Sequence, residues 1–65
     1  MNIIVNGNQT TASATTLAAL LAELEFEGAW LATARNGILV PTDVRAACRL
    51  EDGDRIEILS PRQGG

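Results

Sequence analysis

The last two residues, Gly64-Gly65, are the part of this chain whose type and position could do chemistry. Without side chains they can thread a slot too narrow for any Cβ. Beyond them stands a free α-carboxylate, ionised at neutral pH because its reference pKa is about 3.3–3.7. A carboxylate is a weak electrophile until something activates it, but a good nucleophile toward the α-phosphate of ATP. Chain termini also tolerate glycine for no functional reason, and a chain cut after a linker would end the same way.

Other candidate groups carry less. Cys48 is the sole cysteine and there is no histidine. A reactive thiolate needs a base or cation beside it. Cys48 is therefore read as a core or half-buried packing residue rather than a nucleophile or persulfide carrier. The same counts exclude an intramolecular disulfide and leave little for a metal site. Glu51, Asp52 and Asp54 surround Gly53, but calcium wants six or more oxygens from an ordered loop. The cluster reads as a solvated acidic turn. Trp30, the one tryptophan, is expected in the core or at its rim, with partner contact as the alternative. Nothing resembles a phosphate loop, a carboxylate pair or a Ser/His arrangement, so the chain is not expected to be an enzyme.

Composition narrows the classes further. A 65-residue chain is one small domain that buries only roughly 60% of its unfolded surface. Its 46% hydrophobic content, mostly aliphatic, is adequate for a core. A net charge of −3 and no lysine argue against nucleic acid, which needs a basic face. The longest apolar run is far short of a membrane span and Met1-Asn2 opens no signal peptide. A soluble, cytoplasmic protein is expected.

The elements that must hold out the tail follow from periodicity. Asn2 to Val5 is a short apolar run, and Asn6-Gly7 after it signals a hairpin with Gln9 to Ala12 returning. Leu17, Leu20, Leu21 and Leu24 fall at i, i+3, i+4 and i+7, one stripe of a helix capped by Thr15 or Thr16. Glu25 to Gly28 connects, with Phe26 tucked beneath. Trp30 to Arg35, the Asn36-Gly37 turn and Ile38 to Val40 make a second hairpin, ended by Pro41. Thr42 to Ala46 reads as one helical turn capped by Thr42, and Cys48 to Leu50 as a brief extended piece. Arg55 to Leu59 is the final strand. The two terminal strands are the most apolar, so they belong side by side in the middle of a mixed sheet, with the helix on one face. Alternation turns Ile56 and Ile58 toward that helix and leaves Leu59, with Ile4, on the other face as a small docking patch.

In that order and spacing, Asn36-Gly37 into Val40-Pro41, then Leu50-Glu51-Asp52-Gly53-Asp54-Arg55-Ile56-Glu57-Ile58, then Gly64-Gly65 resembles the thiamine-biosynthesis sulfur-carrier proteins. The Asn6-Gly7 hairpin and the Thr16-Leu17 to Leu20-Leu21 helix match as well. The resemblance implies an α+β, ubiquitin-like β-grasp fold over residues 1–60 and a flexible tail at 61–65. It implies that an E1-like adenylyltransferase, using ATP and magnesium, adenylates the Gly65 carboxylate. A cysteine desulfurase system then supplies persulfide sulfur, and the resulting thiocarboxylate feeds thiazole synthase. Gly64, Gln63, Arg62, Leu59 and Ile4 would meet the partners, and the chain itself would bind no cofactor. The molybdopterin synthase small subunit and related carriers or modifiers share that chemistry, and a plain interaction module is the alternative from another class. Thr33 and Arg35 depart from the family's apolar habit at their positions, and Ser60 to Gln63 is more polar than its usual tail.

Overall fold

A computed structural model describes residues 1–26 and 30–60. The elements run β1 (Asn2–Val5), β2 (Asn8–Thr11), α1 (Leu17–Glu23), β3 (Ala32–Arg35), β4 (Ile38–Val40), a 3-10 helix (Thr42–Ala47) and β5 (Arg55–Leu59). Both hairpin turns have the geometry their residues favour: Asn6 and Gly7 sit at φ 50 and 83, Asn36 and Gly37 at φ 53 and 84. Positive φ at both central residues is the turn whose twist matches the flanking strands.

The five strands form one sheet in the order β2-β1-β5-β3-β4. β1 and β5 lie side by side and parallel, with Ile4 opposite Arg55 and Val5 opposite Ile56. The hairpin partners flank them, with β3 antiparallel to β5. The terminal strands therefore occupy the centre, as their apolar character requires, and α1 covers one face. This is the β-grasp layout.

Helix α1 begins where Thr16, extended at φ −128, accepts a hydrogen bond from the Ala19 N–H (3.2 Å) through its hydroxyl. Of the two candidate caps, Thr16 is the one used. Leu17, Leu20 and Leu21 are buried against Ile3, Val5, Ile56 and Ile58 in one core cluster, with Leu24, Phe26 and Cys48 packed at its margin. Leu17 and Leu20 are fully buried; cutting either back to alanine costs about 2–5 kcal/mol. A 65-residue domain has only about 3–10 kcal/mol in total, so the stripe decides whether the fold exists. Two backbone bonds, Leu17 N–H to Cys48 and Leu50 N–H to Thr15 (2.9 Å each), tie the start of α1 to the extended segment before β5.

Several expectations need correction. β3 starts at Ala32, and Trp30 lies before it at 75% exposure rather than in the core. The 3-10 helix is preceded by Pro41, and Thr42 is its first residue with no side-chain cap bond. β2 begins at Asn8 and ends at Thr11, one residue earlier than the alternation suggests at each end. The acidic turn is not wholly solvated, because Asp54 is buried. Thr33 and Arg35, the polar departures in β3, are each explained by a specific partner. Thr33 is buried; its hydroxyl donates to the Val40 carbonyl (2.9 Å) and accepts from Arg45 Nε (3.1 Å). Arg45, itself buried, also donates to the Leu31 carbonyl (2.6 Å). Arg35 pairs with Asp54 (2.7 Å).

Candidate functional site

The site is the end of β5 and the sheet face that surrounds it. β5 alternates strictly: Ile56 and Ile58 are buried toward α1, while Arg55, Glu57 and Leu59 are exposed on the opposite face. Leu59 is the last strand residue and stands opposite Ala32 of β3. It is 68% exposed. Gly65, Gly64, Gln63 and Arg62 lie outside the described residues, as does the whole 61–65 tail.

Register determines what surrounds Leu59. Ile4 shares its face but stands opposite Arg55, four residues back along β5. At about 3.3 Å per residue that separates them by roughly 13 Å. Arg55 and Glu57 project between the two, so Ile4 and Leu59 do not form one patch. Ile4 is half-buried. The apolar neighbours of Leu59 come instead from the other side: Ala32 directly opposite, Ala34 two residues further, and Leu39 opposite Ala34 on β4. Leu39 is also 68% exposed. Leu59, Ala32, Ala34 and Leu39 thus make a contiguous apolar strip on the helix-free face, with Glu57 on its margin. Lone exposed leucines are ordinary, but an apolar strip across three strands beside a chain exit is the kind of surface a partner covers.

Where β5 ends, an open depression is lined by Asn6, Glu57, Ile58, Leu59 and Ser60. Asn6 is the residue that sequence reasoning assigned only to a turn. Its side-chain Oδ1 accepts the Ile58 N–H (2.8 Å) and its Nδ2 donates to the Ile58 carbonyl (3.2 Å). The second turn asparagine acts at the opposite end of the same strand. Asn36 Oδ1 accepts the Arg55 N–H (2.8 Å), and its backbone N–H donates to the Arg55 carbonyl (2.7 Å).

Below β5 the turn is locked by Asp54. Its carboxylate receives Arg35 Nε (2.7 Å), Asn36 Nδ2 (3.0 Å) and the Glu51 N–H (2.8 Å). Burial works against the ionised form. The hydrogen bonds from Arg35, Asn36 and Glu51, with the positive charge of Arg35, outweigh it and hold the Asp54 carboxyl below the usual range. Arg35 is pushed up in turn, chiefly by its bond to Asp54. Asp52 adds a bond from the Asn2 N–H (2.7 Å). These acids fix the start of the two central strands. Among the described residues no cluster of three or more metal-binding side chains occurs, and no helix is long and apolar enough to cross a membrane.

Comparison with known proteins agrees with this geometry. The model of the ThiS family matches residues 3–65. A crystal structure of the thiamine biosynthesis protein ThiS from Geobacter metallireducens superposes with a TM-score of 0.84 at 29% identity, covering all of both chains. A solution structure of a thiamine biosynthesis protein from the same organism gives 0.80 at 29% identity, covering all of this chain and 88% of that one. A protein named thiazole synthase from Paramagnetospirillum magneticum is 36% identical over the full length of this chain, which spans only 20% of that relative. A family match reaching from the second residue of β1 to the terminal glycines, on a fold shared with solved members, settles the affiliation: the chain belongs to the ThiS family of thiamine-biosynthesis sulfur carriers.

Proposed function

We propose that this chain carries sulfur as a thiocarboxylate on Gly65 and delivers it for thiazole formation. The observation that carries the reading is the family match, which runs through the terminal Gly64-Gly65 rather than stopping at the folded core. In the proposed sequence a Gly65 carboxylate oxygen attacks the α-phosphorus of ATP, and pyrophosphate leaves. An E1-like adenylyltransferase holding ATP and magnesium provides that site. The terminal sulfur of a persulfide, drawn from a cysteine desulfurase system, then attacks the acyl carbon and expels AMP. Cleavage of the acyl disulfide by a thiol leaves the thiocarboxylate.

This chain contributes presentation rather than catalysis, so it is a carrier and not an enzyme, working in the cytoplasm. The sheet anchors the chain as far as Leu59, opposite Ala32. Six residues follow Leu59, and fully extended they reach at most about 20 Å. Glycines at the last two positions let the acyl carbon enter a slot that a Cβ would block. The Leu59, Ala32 and Leu39 strip gives the activating enzyme its grip next to that exit. Thiazole synthase as the recipient is supported by the Paramagnetospirillum relative, in which a segment similar to this whole chain is part of a protein bearing that name.

ATP–pyrophosphate exchange with the activating enzyme tests the reading. The full chain supports exchange; the chain lacking Gly65 does not, and Gly65→Ala slows it severely while circular dichroism stays unchanged. Equal exchange by the full and the shortened chain would refute the assignment of Gly65.

A further inference from the structure

We propose that Asn6 is a positioning residue for the tail, fixing where and in which direction the chain leaves the sheet; the catalytic consequence rests on the carrier reading above. Along the parallel β1/β5 pair the backbone ladder is regular, with Ile4 N–H donating to the Asp54 carbonyl and Asn6 N–H to the Ile56 carbonyl (2.9 Å each). The next rung would fall at Ile58. There β1 has already turned away, because Asn6 and Gly7 take φ 50 and 83 to begin the hairpin. The Asn6 side-chain amide supplies the missing rung, accepting from the Ile58 N–H (2.8 Å) and donating to its carbonyl (3.2 Å). An amide has the donor–acceptor pair of a peptide group, so it extends the ladder by one step without extending the strand.

The consequence falls on the last anchored residues. Ile58 is held from one side by Asn6, and Leu59 is paired on the other side with Ala32. Without the Asn6 amide, the final two residues of β5 keep only their pairing with Thr33 and Ala32 along the β3 edge. Seven residues follow Ile58, so releasing Ile58 lengthens the unanchored chain and spreads the acyl group over a larger volume. That lowers the fraction of time it spends correctly placed at a reacting centre.

Asn36 provides the matching control. It makes an equivalent side-chain bond to Arg55 at the opposite end of β5 (2.8 Å) and one to Asp54 (3.0 Å). Glycine fits both positive-φ sites without strain, so Asn6→Gly and Asn36→Gly each delete the amide and keep the turn. Two readouts are taken on both variants: amide hydrogen exchange at Ile58 and Leu59, and steady-state adenylation. For Asn6→Gly, exchange at Ile58 accelerates at least about tenfold, and kcat falls about tenfold while KM stays within about twofold, the loss of roughly one net hydrogen bond of preorganisation. For Asn36→Gly, melting temperature falls at least as far, yet both kinetic constants stay within about twofold. Unchanged exchange at Ile58 in Asn6→Gly overturns the proposal, and so does an equal fall of kcat in both variants, which would mean general loosening. If the unaltered chain is never adenylated, the carrier reading fails, and the exchange data alone still decide whether Asn6 holds the exit.

Discussion

Asp54→Asn tests whether the fold beneath the tail depends on one charged group. The side chain is 8% exposed and receives three donors on two oxygens. An amide keeps a single acceptor oxygen and turns an NH2 toward donors that cannot use it. At least one of the three bonds is therefore replaced by a donor–donor contact. The Arg35 side chain is 31% exposed, so its share is screened and most of the loss comes from Asn36 and the Glu51 N–H. Loss of one bond to a charged acceptor, the least that must go, puts the cost at about 1.5–3 kcal/mol. For a domain of this size that lowers the melting temperature by about 6–24 °C. The sign of the pH effect follows from the depressed carboxyl. Its stabilising contribution is complete above the unfolded value of about 3.9 and is lost as pH falls through the lower folded value. Melts followed by circular dichroism at about pH 7 and about pH 3 should show the gap between unaltered protein and variant narrowing in acid. A gap under about 0.5 kcal/mol at neutral pH, the size of an ordinary surface change, would refute the reasoning. A gap that stayed constant into acid would refute the role of the charge.

Other consequences are simpler to state. Leu59→Glu charges the apolar strip beside the exit; KM for the activating enzyme should rise about tenfold or more, while the melting temperature moves by less than about 4 °C. Thr16→Ala removes the cap of α1 and should cost about 1 kcal/mol, read as a fall of about 4–8 °C in the melting temperature. Thr33→Val keeps the shape but leaves buried Arg45 Nε without its acceptor, costing about 1–3 kcal/mol; a denaturant midpoint equal to that of the unaltered protein would contradict the bonding described.

Local pattern was enough for the elements and insufficient for their side-chain partners. The leucine stripe placed α1, and two Asn-Gly pairs placed both hairpins, because each signal lies within a few residues. Central placement of β1 and β5 followed from their being the most apolar strands, although only β1 is a continuous apolar run and β5 alternates. Asp54 was misread because an acidic turn containing glycine is ordinary surface chemistry, while its partners Arg35 and Asn36 are 19 and 18 residues away in sequence. The same distance hid the reason for a polar Arg35 in β3, and Arg45 hid the reason for Thr33. Alternation correctly put Ile4 and Leu59 on one face, but only the parallel register shows Arg55 and Glu57 between them. Leu39 could have been found by extending alternation from Val40, whose side chain points inward. Asn6 and Asn36 carried a readable backbone signal and an unreadable side-chain role, since nothing local says which strand a turn will lie beside.

Intact-mass spectrometry of the chain after incubation with ATP, magnesium, the activating enzyme and a persulfide source bears most directly on the carrier role. The reading predicts an adenylated species first, then a product heavier by one sulfur less one oxygen, with fragmentation placing the change on Gly65. A chain that stays unmodified under conditions in which another ThiS-family member is loaded, or sulfur found on Cys48 instead, would contradict it.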